Sequence, residues 1–403
     1  MLSAVIKRMI ESDDTVYAYG FRPFFLLAAS YAIFSVAFWS LGMTGFIPLP
    51  VTGDVVAWHI HELLFGFAAA ALAGFLLTAV PEWTDIEHVE GKALQQCVVI
   101  WLLARIAAWS TALLGVWPMA LLNVIFLVRV IGAVAPGLWS GAQGRHRVFL
   151  FLALALVSLQ VSLYLFWIVE DMQQVRALLN GAIGLFMLLI LAALGRISMV
   201  IVNESLDRSD NEDDRFLARP PRRNFAMGVM AMFLLVDYLL PFSSTSGWMA
   251  LATAAAILNI LNDWLLRGIW RDIYVRALTV VYLFMAAGFA LIGLDNLWGI
   301  FPTNFARHAL TVGAMGIAIL AVLVIAGLRH TGRDLSTHPM IKGAFVVLVL
   351  AALARVAPPW LGGEFTQPVG YGVSALCWCV GFLLYLIHFR GMLTTARADG
   401  LPG

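Results

Sequence analysis

The chain has 403 residues, of which 62% are hydrophobic and only 12% are charged, and its formal net charge is +1. A soluble domain carries about 25% charged residues and roughly half apolar ones. The excess apolar surface has no core large enough to hide in, so the composition excludes a soluble globular protein and predicts a membrane protein. The basic residues form no stripe, which excludes a nucleic-acid-binding surface.

Twelve apolar stretches are long enough to cross a bilayer. A spanning helix needs about 20 mainly apolar residues. The stretches begin near Pro23, Val55, Ala93, Pro118, Val148, Ala177, Asn224, Gly247, Val275, Phe305, Lys342 and Tyr371. The sequence therefore predicts an all-α polytopic membrane protein with about twelve transmembrane helices.

The longest polar break lies at residues 203–223, where acids, arginines and paired prolines predict a charged cytoplasmic linker. This linker would separate a first six-helix half, residues 1–202, from a second half, residues 224–403. Cytoplasmic loops carry an excess of Lys and Arg. With both termini cytoplasmic, most of the 25 basic residues fall inside, and the outside loops hold only Arg176 and Arg307. This sorting supports twelve helices with both ends in the cytoplasm.

The eight histidines fall into two groups by predicted depth. Those in cytoplasmic loops or at the inner end of the last helix are expected to be solvated or snorkelling. They are His88, His146, His338 and His388.

The other four histidines lie on the second and tenth predicted helices, which both run from outside to inside. His59, His61 and Glu62 open the second helix, and His308 opens the tenth, so these groups share one depth near the outer face. His330 lies 22 residues after His308 on the same helix. At ~1.5 Å per residue it falls near the opposite face, so one ion cannot bind both.

Imidazole and carboxylate groups inside a membrane protein are costly and usually functional. Histidine is the commonest metal ligand and the usual axial ligand of b-type haem. The outer group, His59, His61 and His308 with Glu62, therefore predicts a metal or haem site; the alternative is interfacial histidines bonded to loop carbonyls. His59 and His61 diverge by about 200° on a regular helix. They could share a metal only if the helix began after His59; otherwise one faces the bundle centre and the other a second site or the interface.

Three arginines, Arg105, Arg129 and Arg355, lie within apolar stretches and need partners. Guanidinium groups suit bidentate pairing with carboxylates. The candidate partners of Arg105 and Arg355 are haem propionates or carboxylates of the chain, such as Glu62 or Asp295. The helices with the histidines are also rich in Gly and Ala, which allow close helix packing and would leave room for a flat macrocycle.

Five segments of the chain resemble the NnrS family. They read GFRPFF at 20–25, WHIHELLFGF at 58–67, GFLLTAVPEWT at 74–84, HALTVGAMG at 308–316 and HTGR at 330–333. The resemblance implies a multi-pass protein of the bacterial inner membrane that contains haem and copper and takes part in the response to nitric oxide. It also implies that the matching histidines are the metal ligands to test, namely His59, His61, His308 and His330. Glu82 and Asp85 depart from the family pattern, which commonly has Asn and Gly around this Trp-Thr pair.

These observations lead to one functional hypothesis with two alternatives. Nitric oxide is small and neutral, so it can reach a metal through lipid, and imidazole ligands suit both iron and copper. We expect a protein that binds nitric oxide at haem b and copper in contact with membrane lipid. If it reduces nitric oxide, Glu62 is the candidate proton donor, and an external, unidentified electron donor is required because no CxxCH haem site is present. The alternatives are a secondary transporter without a redox cofactor and a haem-binding sensor without turnover.

Overall fold

The computed structural model describes residues 14–51, 53–141, 144, 146–208, 216, 219–266, 268–362 and 366–401. Both chain ends that were expected in the cytoplasm, residues 1–13 and 402–403, lie outside the described residues. So do residues 209–215, 217 and 218 of the expected linker.

Twelve long helices occupy the positions of the twelve apolar stretches, and no strand occurs in the described part of the chain. They are α1 Phe21–Met43, α2 Val55–Thr84, α3 Gly91–Ala108, α4 Trp117–Ser140, α5 Arg147–Ile168, α6 Met172–Asp207, α7 Pro220–Leu239, α8 Ser244–Ile260, α9 Ile273–Trp298, α10 Thr303–His330, α11 Pro339–Val356 and α12 Thr366–Leu393. The expectation of an all-α polytopic membrane protein is confirmed.

Eleven of these helices are long and apolar enough to cross a membrane, counted over the described residues. The exception is α7, which was expected to be a span. Arg222 and Arg223 lie near its start and Asp237 near its end, so every window of 18 residues within it contains three charges. Charge near both ends of a 20-residue helix, not a break in the helix, sets α7 apart.

The two helices that carry the histidines of interest are the most buried of the eleven. In both α2 and α10, 78% of the apolar window is buried, whereas the other spans range from 39% to 67%. Helices surrounded by protein can hold polar groups that lipid would not tolerate. The burial therefore singles out the same two helices as the histidine pattern.

Each of these two helices contains one π-helical segment, and each segment begins directly after a histidine. Glu62–Ala68 follows His61, and Ala309–Met315 follows His308. Such segments are rare and are often found at functional sites, because the extra residue in the turn redirects side chains. Glycine lies within both: a Cβ on Gly66 would be 2.5 Å from the Tyr31 ring, and one on Gly313 would be 2.5 Å from the Phe284 ring. Here the small residues serve close packing.

The segments of α1 and α2 that carry the family resemblance pack against each other. The Phe21 amide donates to Thr78 Oγ1 at 2.9 Å. A Cβ on Gly20 would lie 2.5 Å from that of Leu77, so only glycine allows this approach. The N-terminus of α1 is thereby fixed against the second half of α2.

The described contacts divide the chain into two compact units. One comprises residues 1–182, 322–344 and 378–403, and the other comprises residues 183–321 and 345–377. The boundaries fall inside α6, α10, α11 and α12, so they do not follow the linker at residues 203–223. The division into two six-helix halves stays a prediction.

Candidate metal centre

The start of α2 is fixed by Asp54, which lies just before its first turn. The carboxylate accepts hydrogen bonds from the amides of Val56 at 3.0 Å and Ala57 at 3.1 Å. Its other oxygen accepts from Arg176 Nε at 2.6 Å. Burial by itself would raise the pKa of Asp54, but Arg176 and the two amides together bring that pKa below its ordinary value. This charged cap starts the helix before both histidines.

Because α2 starts at Val55, His59 and His61 are both helical and face different surroundings. The His61 side chain is fully buried. The His59 ring is half-buried and stacks on Trp39, with ring centroids 4.1 Å apart and planes at 14°. The condition under which the two could share one metal, a helix beginning after His59, is therefore not met.

His61 has a partner at each ring nitrogen. Nδ1 lies 2.8 Å from Glu62 Oε1, and Nε2 lies 2.7 Å from the Tyr164 hydroxyl. An ionised carboxylate can only accept, so Nδ1 carries the proton and Nε2 accepts from Tyr164. The neighbours thus fix one tautomer, with the lone pair on Nε2.

Glu62 is the centre of a buried polar cluster. Only 1% of its side chain is exposed, and Arg105 Nη1 lies 2.6 Å from Oε1. The Tyr31 hydroxyl donates to Oε2, and the Trp109 indole donates to that hydroxyl at 2.8 Å. Three donors, from Arg105, Tyr31 and His61, therefore converge on one carboxylate. Such an arrangement compensates a buried charge and orients every group that takes part.

Arg105 is held from several sides. Its Nη1 donates to Glu62, and its Nη2 donates to Asn123 Oδ1. The guanidinium carbon also lies 5.7 Å from the ring centres of both Tyr31 and Trp101. Of the two partners expected from the sequence, a haem propionate and a carboxylate of the chain, the structure shows the second. The role of Arg105 as a cofactor-binding residue stays a prediction.

His308 begins the π-helical segment of α10 and uses the same ring nitrogen as His61. Its Nδ1–H donates to the Asn304 carbonyl at 2.6 Å. Within the described residues, Nε2 has no hydrogen-bond partner, and the side chain is half-buried. Here too the proton is on Nδ1 and the lone pair is on Nε2.

Arg355 lies at the end of α11, within electrostatic range of His308. Its guanidinium carbon lies 3.6 Å from the ring centre of Tyr371. Its Nη1 is buried and makes no hydrogen bond to the described residues. Arg355 is thus a charged neighbour of His308, and its Nη1 donor is unused among the described residues.

His330 has a different environment at the other end of α10. Its Nδ1 lies 2.8 Å from Glu82 Oε1, and its ring lies against Phe21 with centroids 5.4 Å apart. The Arg397 guanidinium donates to its carbonyl at 3.3 Å. Glu82, one of the two departures from the family pattern, is thus the partner of this imidazole.

The remaining histidines also have neighbours in the structure. His146 is buried against the Trp83 ring, so the expectation that it is solvated is wrong. His338 and His388 stack on each other with centroids 4.2 Å apart, and His88 packs on Tyr19. The sequence places these histidines in loops or at a helix end but does not show which aromatic rings they contact.

No group of three or more His, Cys, Asp or Glu side chains is arranged to hold a metal ion among the described residues. The assignment of His59, His61, His308 and His330 as ligands therefore stays a prediction. Sequence reasoning missed Tyr31, Tyr164 and Asn123. Only Asn123 left a signal, as a lone amide within an apolar stretch.

The family model described as NnrS protein matches residues 15–397, which is nearly the whole chain. No curated protein matches.

Proposed function

The chain belongs to the NnrS family of membrane proteins of the nitric oxide response, and from this premise we propose that it holds haem b and copper on its histidines and binds nitric oxide there. The bacterial inner membrane is the proposed location. The histidines of α2 and α10 are the proposed ligands.

One observation carries this proposal. In metalloproteins a ligating histidine usually donates its other ring N–H to a carboxylate or a backbone carbonyl, which fixes the tautomer and makes the ligand more basic. His61 has this arrangement with Glu62, and His308 has it with Asn304. Each of the two most buried helices thus presents one imidazole with its lone pair on Nε2.

The surroundings of His308 fit a haem. Nε2 has no partner within the described residues, so its lone pair would be available to haem iron. Nearby Arg355 has an unused buried donor on Nη1, and an anionic propionate would satisfy it. We propose that His308 would hold the haem and that Arg355 would bind its propionate.

The surroundings of His61 fit a copper ligand whose ring orientation is fixed before a metal binds. Imidazole nitrogen suits copper, and the Glu62 carboxylate behind the ring favours a cation in front of it. The Tyr164 hydroxyl, 2.7 Å from Nε2, would have to turn away when a metal binds. His59 and His330 remain the further candidate ligands.

Glu62 acts here as a positioning group. It accepts from Arg105, Tyr31 and His61, so it is held as a carboxylate. It orients the imidazole, and Arg105 balances its charge. The expectation that Glu62 donates a proton during reduction stays a prediction, and it requires the contact with Arg105 to loosen.

Ferrous haem and Cu(I) both bind nitric oxide, and this is the chemistry that the groups would supply when bound. The chain itself would contribute a water-poor, apolar environment around the proposed ligands, which the neutral gas would reach through lipid. Reduction of two nitric oxide molecules to nitrous oxide and water consumes two electrons and two protons, so an external electron donor is part of the proposal.

The test is an absorption spectrum with iron and copper analysis of the full-length protein, purified in detergent from iron- and copper-replete cells. We expect a Soret band that is lost, with iron, in His308→Ala, and copper that is lost in His61→Ala while the Soret band remains. His338→Ala, which changes an exposed histidine directly before the start of α11, is the matched control and should keep both metals. A colourless, metal-free wild-type protein would overturn the proposal and leave the transporter.

A second measurement separates an enzyme from a sensor. Nitrous oxide is measured after nitric oxide is added to the reduced protein. Formation of nitrous oxide that stops in His308→Ala indicates reduction. A nitrosyl spectrum without nitrous oxide indicates binding alone.

A further inference from the structure

Arg129 lies halfway along α4. It is twelve residues from Trp117 and eleven from Ser140, which at 1.5 Å per residue is ~18 Å and ~16 Å. The hydrocarbon core of a bilayer is about 30 Å thick. The guanidinium therefore belongs near the middle of the membrane.

This arginine is exposed, and its partners in the chain are neutral. Nη2 donates to Gln96 Oε1 at 3.4 Å, a long hydrogen bond, and the thiol of Cys97 is its other polar neighbour. Among the described residues it takes part in no ion pair. Arg105, the arginine within α3, is by contrast buried against Glu62 at 2.6 Å. Among the described residues, one of these charges is thus compensated and the other lies uncompensated at the surface.

Lipid headgroups do not provide the missing partner. They begin about 15 Å from the bilayer centre, which is farther than an arginine side chain extends. Side chains on a helix also lean toward its N-terminus, so Arg129 leans toward Trp117, the more distant end. A cation exposed at this depth is costly unless another protein group meets it.

The same face of α4 is shaped for a neighbouring helix. Gly132 lies one turn after Arg129 and is exposed, and a Cβ built on it would meet nothing within 4 Å. Leu121, Ile125 and Val128 continue the exposed stripe in the other direction, at 60%, 40% and 51% exposure. A small residue beside a polar one is the pattern by which membrane helices approach closely and bond to each other.

We propose that this face of α4, around Arg129 and Gly132, binds a transmembrane helix of a different protein that carries an Asp or Glu near the middle of the bilayer. A second copy of the chain does not fit. Among the described long helices, the only acidic residue outside the last two turns is Glu62, which is buried. The other acidic residues of these helices lie in the last two turns of their helices, at Glu82, Glu204, Asp207, Asp237 and Asp295.

The experiment places a photo-reactive benzoylphenylalanine at Val128 of the full-length protein in membranes of the cells that make it naturally. Phe151 of α5, 57% exposed, is the matched control position on another surface. Cross-linked peptides are sequenced by mass spectrometry. We expect one protein adduct from Val128, absent from Phe151, whose partner peptide is a spanning segment with a central Asp or Glu. Its yield should fall at least tenfold in Arg129→Leu and be kept in Arg129→Lys.

A charge exchange completes the test. Arg129→Glu should abolish the adduct, and changing the identified carboxylate of the partner to Lys should restore it. Adducts with lipid only, an adduct with a second copy of this chain, or an adduct that survives Arg129→Leu unchanged would each overturn the proposal. Equal amounts of full-length protein in the membrane, measured for every variant, exclude misfolding as the cause of a lost adduct.

Discussion

The guanidinium of Arg105 and the carboxylate of Glu62 form a buried ion pair, with Nη1 and Oε1 2.6 Å apart and 43 positions apart in sequence. The same carboxylate holds the ring of His61. The pair therefore connects the stability of the helix bundle to the orientation of a candidate metal ligand.

Removal of both members of this pair should be less harmful than the two single removals added together. Arg105→Met leaves the buried Glu62 carboxylate without its counter-ion, and Glu62→Gln leaves the buried Arg105 guanidinium without one. Each single change is expected to lower the free energy of unfolding by about 3–5 kcal/mol. The double variant should cost clearly less than the sum of the two. Denaturant unfolding of the detergent-solubilised protein measures the free energy of unfolding of the wild type, the two single variants and the double variant. Additive single effects would show that the two groups do not interact.

Tyr164→Phe should separate stability from ligation. Loss of the hydroxyl leaves Nε2 of His61 without its partner, at an expected cost of about 1–3 kcal/mol. Since the phenol competes with a metal for this nitrogen, the copper content should be kept or increased. Metal analysis of Tyr164→Phe beside His61→Ala checks this, and copper loss in both would mean that the phenol itself assists binding.

Gly66→Ala should disturb the same cluster by crowding. The added Cβ would lie 2.5 Å from a Tyr31 ring carbon and 2.7 Å from Arg105 Nη1, so both side chains must move. Overpacking of this kind costs about 1–3 kcal/mol. Gly228→Ala is the matched control, because a Cβ there meets nothing within 4 Å and should be neutral or stabilising. Thermal unfolding of both variants in the same detergent measures this difference in stability.

The cap at Asp54 should make the first turn of α2 sensitive to acid. Its pKa is below the ordinary value in the folded protein, so its stabilising effect is present above the unfolded pKa of about 3.9 and is lost as the pH falls through the folded pKa. Hydrogen exchange at Val56 and Ala57 should therefore accelerate in acid beyond its intrinsic pH dependence.

Asp54→Asn is the matched variant for this cap, because Asn caps a helix without a charge. It should keep slow exchange at neutral pH and lose the extra sensitivity to acid. Asp54→Ala should exchange faster at both pH values. An unchanged acid response in Asp54→Asn would mean that another group is responsible.

Arg22 should hold the end of α12 in place. It is fully buried at the start of α1, and its Nη1 donates to the carbonyls of Leu393 at 3.1 Å and Thr395 at 2.8 Å. Hydrogen bonds from a charged donor are worth about 1.5–3 kcal/mol each. In Arg22→Met we expect faster hydrogen exchange across residues 394–401, whereas Arg390→Met, at an exposed position on α12, should leave it unchanged.

The sequence by itself determined the approximate positions of the twelve long helices, eleven of which are long and apolar enough to span a membrane in the described part of the chain. Whether about 20 residues enter a bilayer depends on the polarity of those residues alone, so the stretches at Val55 and Phe305 could be located without a fold. The divergence of His59 and His61 on a regular helix was equally local, because it follows from the helical pitch. That the helix begins before His59 was decided by the structure.

Only the tertiary structure decided which groups meet. By sequence Arg22 lies just before the apolar stretch that begins near Pro23, yet it is buried against the end of α12. Tyr164 is 103 positions from His61 and left no signal that it would occupy Nε2. In a membrane protein lipid is as apolar as a helix interface, so the apolar pattern does not reveal which face of a helix turns inward. The partners of Glu62 and His61 are therefore fixed by how side chains of α1, α2, α3 and α5 fit together, which no single stretch of the sequence contains.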